Sequence, residues 1–333
     1  MTNQTDDAPS ASPSTIRRHA FVFPGQGSQY VGMGADLVER TPAAAAVLER
    51  ADAALGFPLS SLILDGPAED LDRTVNAQPA ILATSVAYLE ALRDEAEREG
   101  VQLAPLEVAG HSAGQYAAAV AAEAIDFETA LQLVRERGRI MQERGIEGGM
   151  GAVIGLSDEQ VHEIVEQARE HGEIAVANAN APGQIVLSGV IPALVFALEM
   201  SKTVGARRAV QLTVSVASHS PLMRRARDEF AKILARVPFR DPTVPMLGNV
   251  HGSVIRTADG LRTELTDHLV HGVQWTATVR RMVSDGVTDF VEVGPGRVLS
   301  GLIKRISPEA EVHATDARDS RLWLPGRPDE ATA

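Results

Sequence analysis

The 333-residue chain contains no cysteine, which excludes disulfides, thiolate metal sites and a cysteine nucleophile together. Aromatic residues are scarce at 4%, although the hydrophobic share of 44% is ordinary for a globular protein. Basic residues are the minority: 31 Lys and Arg face 44 Asp and Glu, a formal net charge of −13. That balance argues against non-specific binding to nucleic acid or to an anionic membrane. No apolar run approaches about 18 residues, so no membrane-spanning helix is expected. The first 17 residues carry Asp6 and Asp7 and no hydrophobic stretch, so they do not read as a secretory signal. The expected setting is the cytoplasm.

What is present divides the chain. Residues 1–17, rich in Ser, Thr, Pro and Asp, read as a disordered leader. Ala20–Phe23 predicts a first buried strand running into Pro24-Gly25-Gln26-Gly27-Ser28-Gln29, a loop at a strand's carboxyl end, where open α/β sheets place their sites. Helices are expected over Ala43–Leu55 and from about Asn76 to Arg98, with Pro79 in a tolerated first turn. Asp126 predicts the cap of a helix over Phe127–Arg144. Beyond Gly148-Gly149-Met150-Gly151 the pattern becomes strand Ala152–Leu156, a helix opened by the capping-box spacing Ser157-x-x-Gln160, strands Ile174–Ala177 and Gln184–Leu187, a helix from Pro192 to Gly205, and strand Arg208–Val214. This β-α-β-β-α-β order matches a ferredoxin-like split unit over 149–214. α/β material returns afterwards, with helix Pro221–Val237, strand Val244–Val250, helices Leu261–His271 and Thr276–Asp285, and strand Asp289–Glu292. The large subdomain is therefore expected over 18–148 and 215–316. Residues 317–333 read as a tail, with Trp323 and Leu324 docking on the body.

The chemistry centres on Leu106–Ala117. An apolar strand end is followed by Gly110-His111-Ser112-Ala113-Gly114 and then by Ala-rich, helix-forming Tyr116–Ala122. Strand, G-x-S-x-G and helix form the context of a nucleophile elbow. The turn forces Ser112 into strained geometry, Gly110 and Gly114 remove clashing side chains, and the N–H of Ala113 points where an oxyanion would form. The bland alternative is a glycine turn whose serine caps a helix. A serine needs a base, and nine histidines are available. His111 adjoins Ser112, but chain neighbours point apart. His162 and His171 read as surface residues on or after a polar helix. His219 stands in a strand-end loop, where a partner serves an elbow serine, although a lone loop histidine is as readily unremarkable.

Five motifs in register carry a resemblance: Phe21–Gln29, Gly110–Gly114, Arg137-Gly138, Asn178–Gln184 and Glu292-Val293-Gly294-Pro295-Gly296. From about Ala20 to Ile306 the chain resembles the malonyl-CoA:acyl carrier protein transacylases and the acyltransferase domains of polyketide synthases. The resemblance implies an α/β-hydrolase-like large subdomain with an inserted ferredoxin-like small one, agreeing with the pattern. It implies Ser112 as nucleophile, His219 as base, the N–H groups of Gln26 and Ala113 as oxyanion hole, and Arg137 as partner of the substrate's free carboxylate. A planar carboxylate suits a bidentate guanidinium; without the resemblance, Arg137 would read as a solvated charge among Arg135, Glu136 and Arg139. Gln78, Asn178, Val216 and Ser218 are expected to line the substrate site.

Three departures stand out. Gln115 replaces the family's usual Glu. His268 replaces Gln or Asn at a supporting position where the family orients its base through a backbone carbonyl. Val216-Ala217-Ser218 before His219 resembles the pattern of enzymes accepting α-branched malonyl units, whereas Gly-His-Ser-Ala-Gly looks like the malonyl form.

The expected activity is a ping-pong transfer of malonyl or an α-substituted malonyl group from CoA to the phosphopantetheine thiol of an acyl carrier protein. A related carrier-linked acyltransferase or acyl hydrolase acting on a neutral or larger acyl group is the alternative, against which Arg137 argues. A carrier-binding module with decayed catalysis is a third reading, against which Ser112, His219 and Gln26 argue. No bound cofactor or metal is expected, because the carrier supplies the phosphopantetheine. The carrier is small and acidic, so Lys202, Arg207, Arg208, Arg224 and Arg225 are expected to meet it in trans. A monomer is the simplest expectation.

Overall fold

The computed structural model describes residues 18–214, 216–316 and 322–327; the leader 1–17 and most of the expected tail lie outside them. Ten strands occur among the described residues: β1 (His19–Phe23), β2 (Glu107–Gly110), β3 (Gly149–Ile154), β4 (Ile174–Ala181), β5 (Gln184–Gly189), β6 (Arg208–Gln211), β7 (Met246–Leu247), β8 (Val254–Ile255), β9 (Asp289–Glu292) and β10 (Glu311–Ala314). They form two sheets, ordered β10-β9-β1-β2-β7-β8 and β4-β5-β3-β6. The first is parallel apart from β8.

Strands β1, β2 and β9 are buried along their whole length, as a parallel sheet covered on both faces requires. Alternation along β1 shows the two layers. Phe21 and Phe23 point to a core shared with Tyr88, Tyr116 and Leu131, while Ala20 and Val22 face Trp275, Met282 and Ile303. Neighbours β2 and β9 lie on opposite sides of β1, so the sheet's order reverses there. The carboxyl ends of β1 and β2 open into that crevice, the usual ligand position in such sheets.

The second sheet is antiparallel and built wholly from residues within 149–211, in the order expected for a split β-α-β unit. Helices Asp158–Ala168 and Ile191–Thr203 cover one face, where Val161, Ile164, Val165, Leu194 and Leu198 pack on Val153, Ile185 and Leu187. Ser157 caps the first helix reciprocally with Gln160, as its spacing predicts. The opposite face looks into the crevice.

Several expected boundaries shift. The helix expected from Asn76 runs Thr74–Glu99, so Pro79 lies inside it rather than in its first turn. Strand β3 starts at Gly149, within the glycine cluster read as a boundary. The glycines belong to the strand because Leu198 packs where a side chain on Gly151 would stand, 2.9 Å from its Cβ position. Strand β6 stops at Gln211, and Val244–Val250 contributes only Met246–Leu247. Helix Pro221–Val237 opens as a 3₁₀ turn and becomes α-helical over Arg224–Leu234. Trp323 and Leu324 dock as expected, both buried, with the indole ring 5.2 Å from His19 and 5.4 Å from His313. No helix among the described residues is long and apolar enough to cross a membrane.

Candidate active site

The end of β2 turns sharply into helix Gly114–Ala121, and Ser112 sits at the turn with φ 51°, a left-handed conformation that side chains disfavour. Glycine is obligatory on both sides. A Cβ on Gly110 would stand 2.0 Å from the Gly114 carbonyl carbon, and one on Gly114 would stand 2.2 Å from the Phe23 oxygen. The loop after β1 presses on the same turn, since a Cβ on Gly25 would meet the His111 oxygen at 2.3 Å.

Two side chains hold the turn: Asn249, which the sequence reading did not single out, and Gln115, which it noted only as a departure from the family. Asn249 Oδ1 accepts from the Ser112 N–H (2.7 Å), and Asn249 Nδ2 donates to the Gly110 carbonyl (2.7 Å) and to Gln115 Oε1 (3.1 Å). Gln115 Oε1 also accepts from the Gly110 N–H, while its Nε2 donates to the Leu247 carbonyl at 2.9 Å. A glutamate could not make that last bond unless protonated, so Gln115 serves the elbow as an amide. Glu264 in turn accepts from the Asn249 and Val250 N–H groups. The available signal was positional: Asn249 lies at the carboxyl end of β7, beside β2.

Opposite the elbow, His219 Nε2 lies 2.8 Å from Ser112 Oγ, and its Nδ1 donates to the His268 carbonyl oxygen at 2.6 Å. With the proton on Nδ1, Nε2 is free to accept the serine proton. Like Ser112, His219 has a positive φ, 57°. Burial first, and then the nearby Arg137 guanidinium, push the imidazole down to about 3. It is therefore neutral, and competent as a base, at neutral pH. His111 does not reach Ser112 Oγ; its Nε2 meets Asn180 Oδ1 at 2.9 Å. His162 and His171 are exposed, as expected.

Arg137 is 1% exposed, so the solvated-charge reading fails; it is Arg135, Glu136 and Arg139 that reach solvent. Its Nη1 donates to Gln78 Oε1 (2.8 Å), and its Nη2 donates to His268 Nε2 (2.9 Å) and lies 3.5 Å from Ser112 Oγ. Gly138 makes this placement possible: a Cβ there would stand 2.9 Å from the Thr74 carbonyl, so the two helices pack closely just where Arg137 faces Gln78.

A cavity of about 250 Å³ collects these groups. Gln26, Gln78, Ser112, Arg137, Asn178, Val216, Ser218 and His219 all line it, together with Met141, Met150 and Leu212. Gln26 hydrogen-bonds Thr74 through its side chain, and Ala113 is buried directly behind Ser112 at the helix start. His268 is fully buried beneath the site. The basic residues lie apart from the cavity lining. Lys202 is paired with Glu199 at 2.7 Å, and Arg207, Arg208, Arg224 and Arg225 are exposed. Register places Arg208 opposite Ile154, on the face of the antiparallel sheet that also carries Met150 and Leu212.

Comparison with known proteins identifies the family and the fold. The profile of the acyl transferase domain family matches residues 20–317. Over 293 residues the chain is 44% identical to a malonyl CoA-acyl carrier protein transacylase of Escherichia coli, covering 87% of this chain and 93% of that one. It is 40% identical over 293 residues to a polyketide biosynthesis malonyl CoA-acyl carrier protein transacylase of Bacillus subtilis, covering 87% and 98%. Among solved structures, a malonyl transacylase in complex with the acyl carrier protein of a type II polyketide synthase superposes with TM-score 0.85 at 39% identity, covering 90% of this chain and 96% of that chain.

Proposed function

Because this chain belongs to the acyl transferase domain family, and matches malonyl CoA-acyl carrier protein transacylases along nearly its whole described length, we infer that it transfers malonyl from CoA to an acyl carrier protein. The observation that carries the choice of acyl group is the buried Arg137 guanidinium, 3.5 Å from the Ser112 hydroxyl. A buried cation needs an anionic partner, and the free carboxylate of a malonyl thioester supplies one while its carbonyl reaches the serine. A neutral acyl group would leave that charge uncompensated, which disfavours the alternative substrate.

In the first half-reaction Ser112 Oγ attacks the thioester carbonyl as His219 Nε2 takes the hydroxyl proton. The N–H groups of Gln26 and Ala113 receive the oxyanion. The tetrahedral intermediate collapses, the C–S bond breaks, and the CoA sulfur leaves with the proton from His219. In the second half-reaction the carrier's phosphopantetheine thiol gives its proton to His219 and attacks the Ser112 ester, restoring the serine. Val216 and Ser218, which line the cavity, would contact the acyl group. For the carrier itself, the supporting feature is the exposed set Lys202, Arg207, Arg208, Arg224 and Arg225, positive ground on a chain of net charge −13.

The test is incubation with radioactive malonyl-CoA, peptide mapping of the quenched enzyme, and discharge with or without holo carrier protein. Label on Ser112 that carrier protein discharges and water does not is the expected result. Equal discharge by water alone would make the chain a hydrolase, and absence of label would leave only a binding module.

A further inference from the structure

His268 reaches both halves of the catalytic apparatus through different atoms. Its backbone oxygen accepts from His219 Nδ1 at 2.6 Å, and its side-chain Nε2 accepts from Arg137 Nη2 at 2.9 Å. Because Nη2 is a donor in every state of a guanidinium, Nε2 must be unprotonated. Burial, with the guanidinium opposite, holds the imidazole well below its ordinary range, so it stays an acceptor. The ring is fully buried, and its Nδ1 has no hydrogen-bond partner among the described residues. Its polar contact is thus spent on Arg137.

The geometry points to the His268 side chain as a positioning residue for malonyl selectivity, one that fixes Arg137 Nη2 over Ser112 while Gln78 fixes Nη1. The physical need is plain. Arginine carries several rotatable bonds, and its Nε is buried without a partner among the described residues. With Nη1 alone tethered, the guanidinium can pivot about the Gln78 contact and lose alignment with a carboxylate attached to the reacting carbonyl. Two tethers on two nitrogens remove that pivot and leave the remaining N–H bonds for the substrate. The backbone contact to His219 survives any substitution at 268, so selectivity and base orientation separate experimentally at this one residue. This inference rests on Arg137 as holder of the malonyl carboxylate, a reading that Arg137→Ala tests independently.

The experiment compares acylation of Ser112 by malonyl-CoA and by acetyl-CoA in the full chain carrying His268→Leu, His268→Gln, Arg137→Ala, and the Arg137→Ala/His268→Leu pair. Leucine fills the space without an acceptor, and glutamine restores one. For His268→Leu, the ratio of kcat/KM with malonyl-CoA to that with acetyl-CoA should fall about tenfold, mainly through the malonyl KM. His268→Gln should return the malonyl value to within about threefold of the parent, and His268→Leu should add nothing in the Arg137→Ala background. If the leucine variant does not fold, His268→Met, which fills the space with at most a weak acceptor, replaces it with the same expectation. Equal losses for both substrates, a gain in malonyl affinity, failure of glutamine to rescue, or additive losses in the double variant would each overturn the inference. An unchanged malonyl-to-acetyl ratio in Arg137→Ala alone would instead overturn the carboxylate reading beneath it.

Discussion

His219 Nδ1 donates to the peptide oxygen of His268 at 2.6 Å, so a dipole rather than a carboxylate stands behind the base. A peptide carbonyl fixes the tautomer as well as an acid would, but it offers less stabilisation to an imidazolium. Arg137 lies on the other side and disfavours the charged ring further. On the proposed reading, a malonyl carboxylate bound to Arg137 would offset that cation and strengthen the base when the correct substrate is present.

The pH dependence of acylation follows from this arrangement. The His219 pKa is depressed to about 3, so the base is deprotonated throughout pH 5–8. The rate of Ser112 acylation by acetyl-CoA should show no inflection near 6.5 as pH falls to 5, as long as the fold persists. A clear acid limb centred on 6.5 in single-turnover measurements would mean that an ordinary histidine carries the reaction. His219→Ala should lower the acylation rate by about 10²–10⁴; near-normal rates would place the base elsewhere.

Arg137→Ala should change a preference more than an activity. Malonyl transfer should weaken by roughly 2–5 kcal/mol, the usual loss when one partner of a buried charge pair is removed. Acetyl transfer should weaken little or improve, because a neutral acyl group gains nothing from the guanidinium. Parallel losses for both acyl-CoA substrates would make Arg137 structural.

Much of this site was legible in the sequence because its parts are local. The elbow is contiguous from β2 to Gly114, and each glycine has a steric reason visible in the pattern. The split unit was legible for the same reason, since its strands and helices alternate with sharp periodicity. What escaped notice depends on contacts between distant segments. Asn249 binds a turn 137 residues away, and only its place near the end of an expected strand marks it. The burial of Arg137 was hidden by Arg135, Glu136 and Arg139, which give the helix a solvated appearance; only the resemblance singled it out. Pro79 misled because a proline is ordinarily a start signal, whereas here the helix begins at Thr74 and continues through it.

Asn249 is the test of how far the elbow depends on that distant support. Asn249→Ala removes the acceptor of the Ser112 N–H and the donor to the Gly110 carbonyl, leaving buried groups unpaired. Loss of stability of about 1–3 kcal/mol is expected. A small displacement of a nucleophile costs up to about 10² in rate, so kcat should fall comparably for malonyl and acetyl acylation. A selective loss of malonyl activity in steady-state comparison would contradict a role confined to the elbow.

Glu107, at the start of β2, gives a prediction about stability rather than rate. Burial first, and then the adjacent Asp285 carboxyl, push it up to about 7. Its folded pKa lies above the unfolded value near 4.5, so its favourable contribution is complete below about 4.5 and is lost as pH rises through 7. Glu107→Gln should therefore raise Tm relative to the parent at pH 8 but little at pH 4.5, as thermal melts across that range would show. A difference in Tm independent of pH would mean the carboxyl is already ionised in the fold.

The carrier's docking ground is the last expectation, and the two half-reactions separate it from everything else. An acidic carrier approaching a chain of net charge −13 requires local positive potential. Arg208 occupies the crevice-facing side of the antiparallel sheet, next to Arg207. Arg224 and Arg225 open the helix that follows the His219 loop. Neither pair lines the cavity, so neither is expected to touch the acyl group. Lys202 is engaged by Glu199 and is the weaker candidate. Reversing charge at Arg207 and Arg224 together should slow transfer from acyl-Ser112 to the carrier, more at low salt than at high. Acylation by malonyl-CoA should be nearly unchanged, because the carrier takes no part in it. Equal loss in both half-reactions would move these arginines to the CoA phosphates or reveal misfolding, and no loss in either would place the dock on another surface.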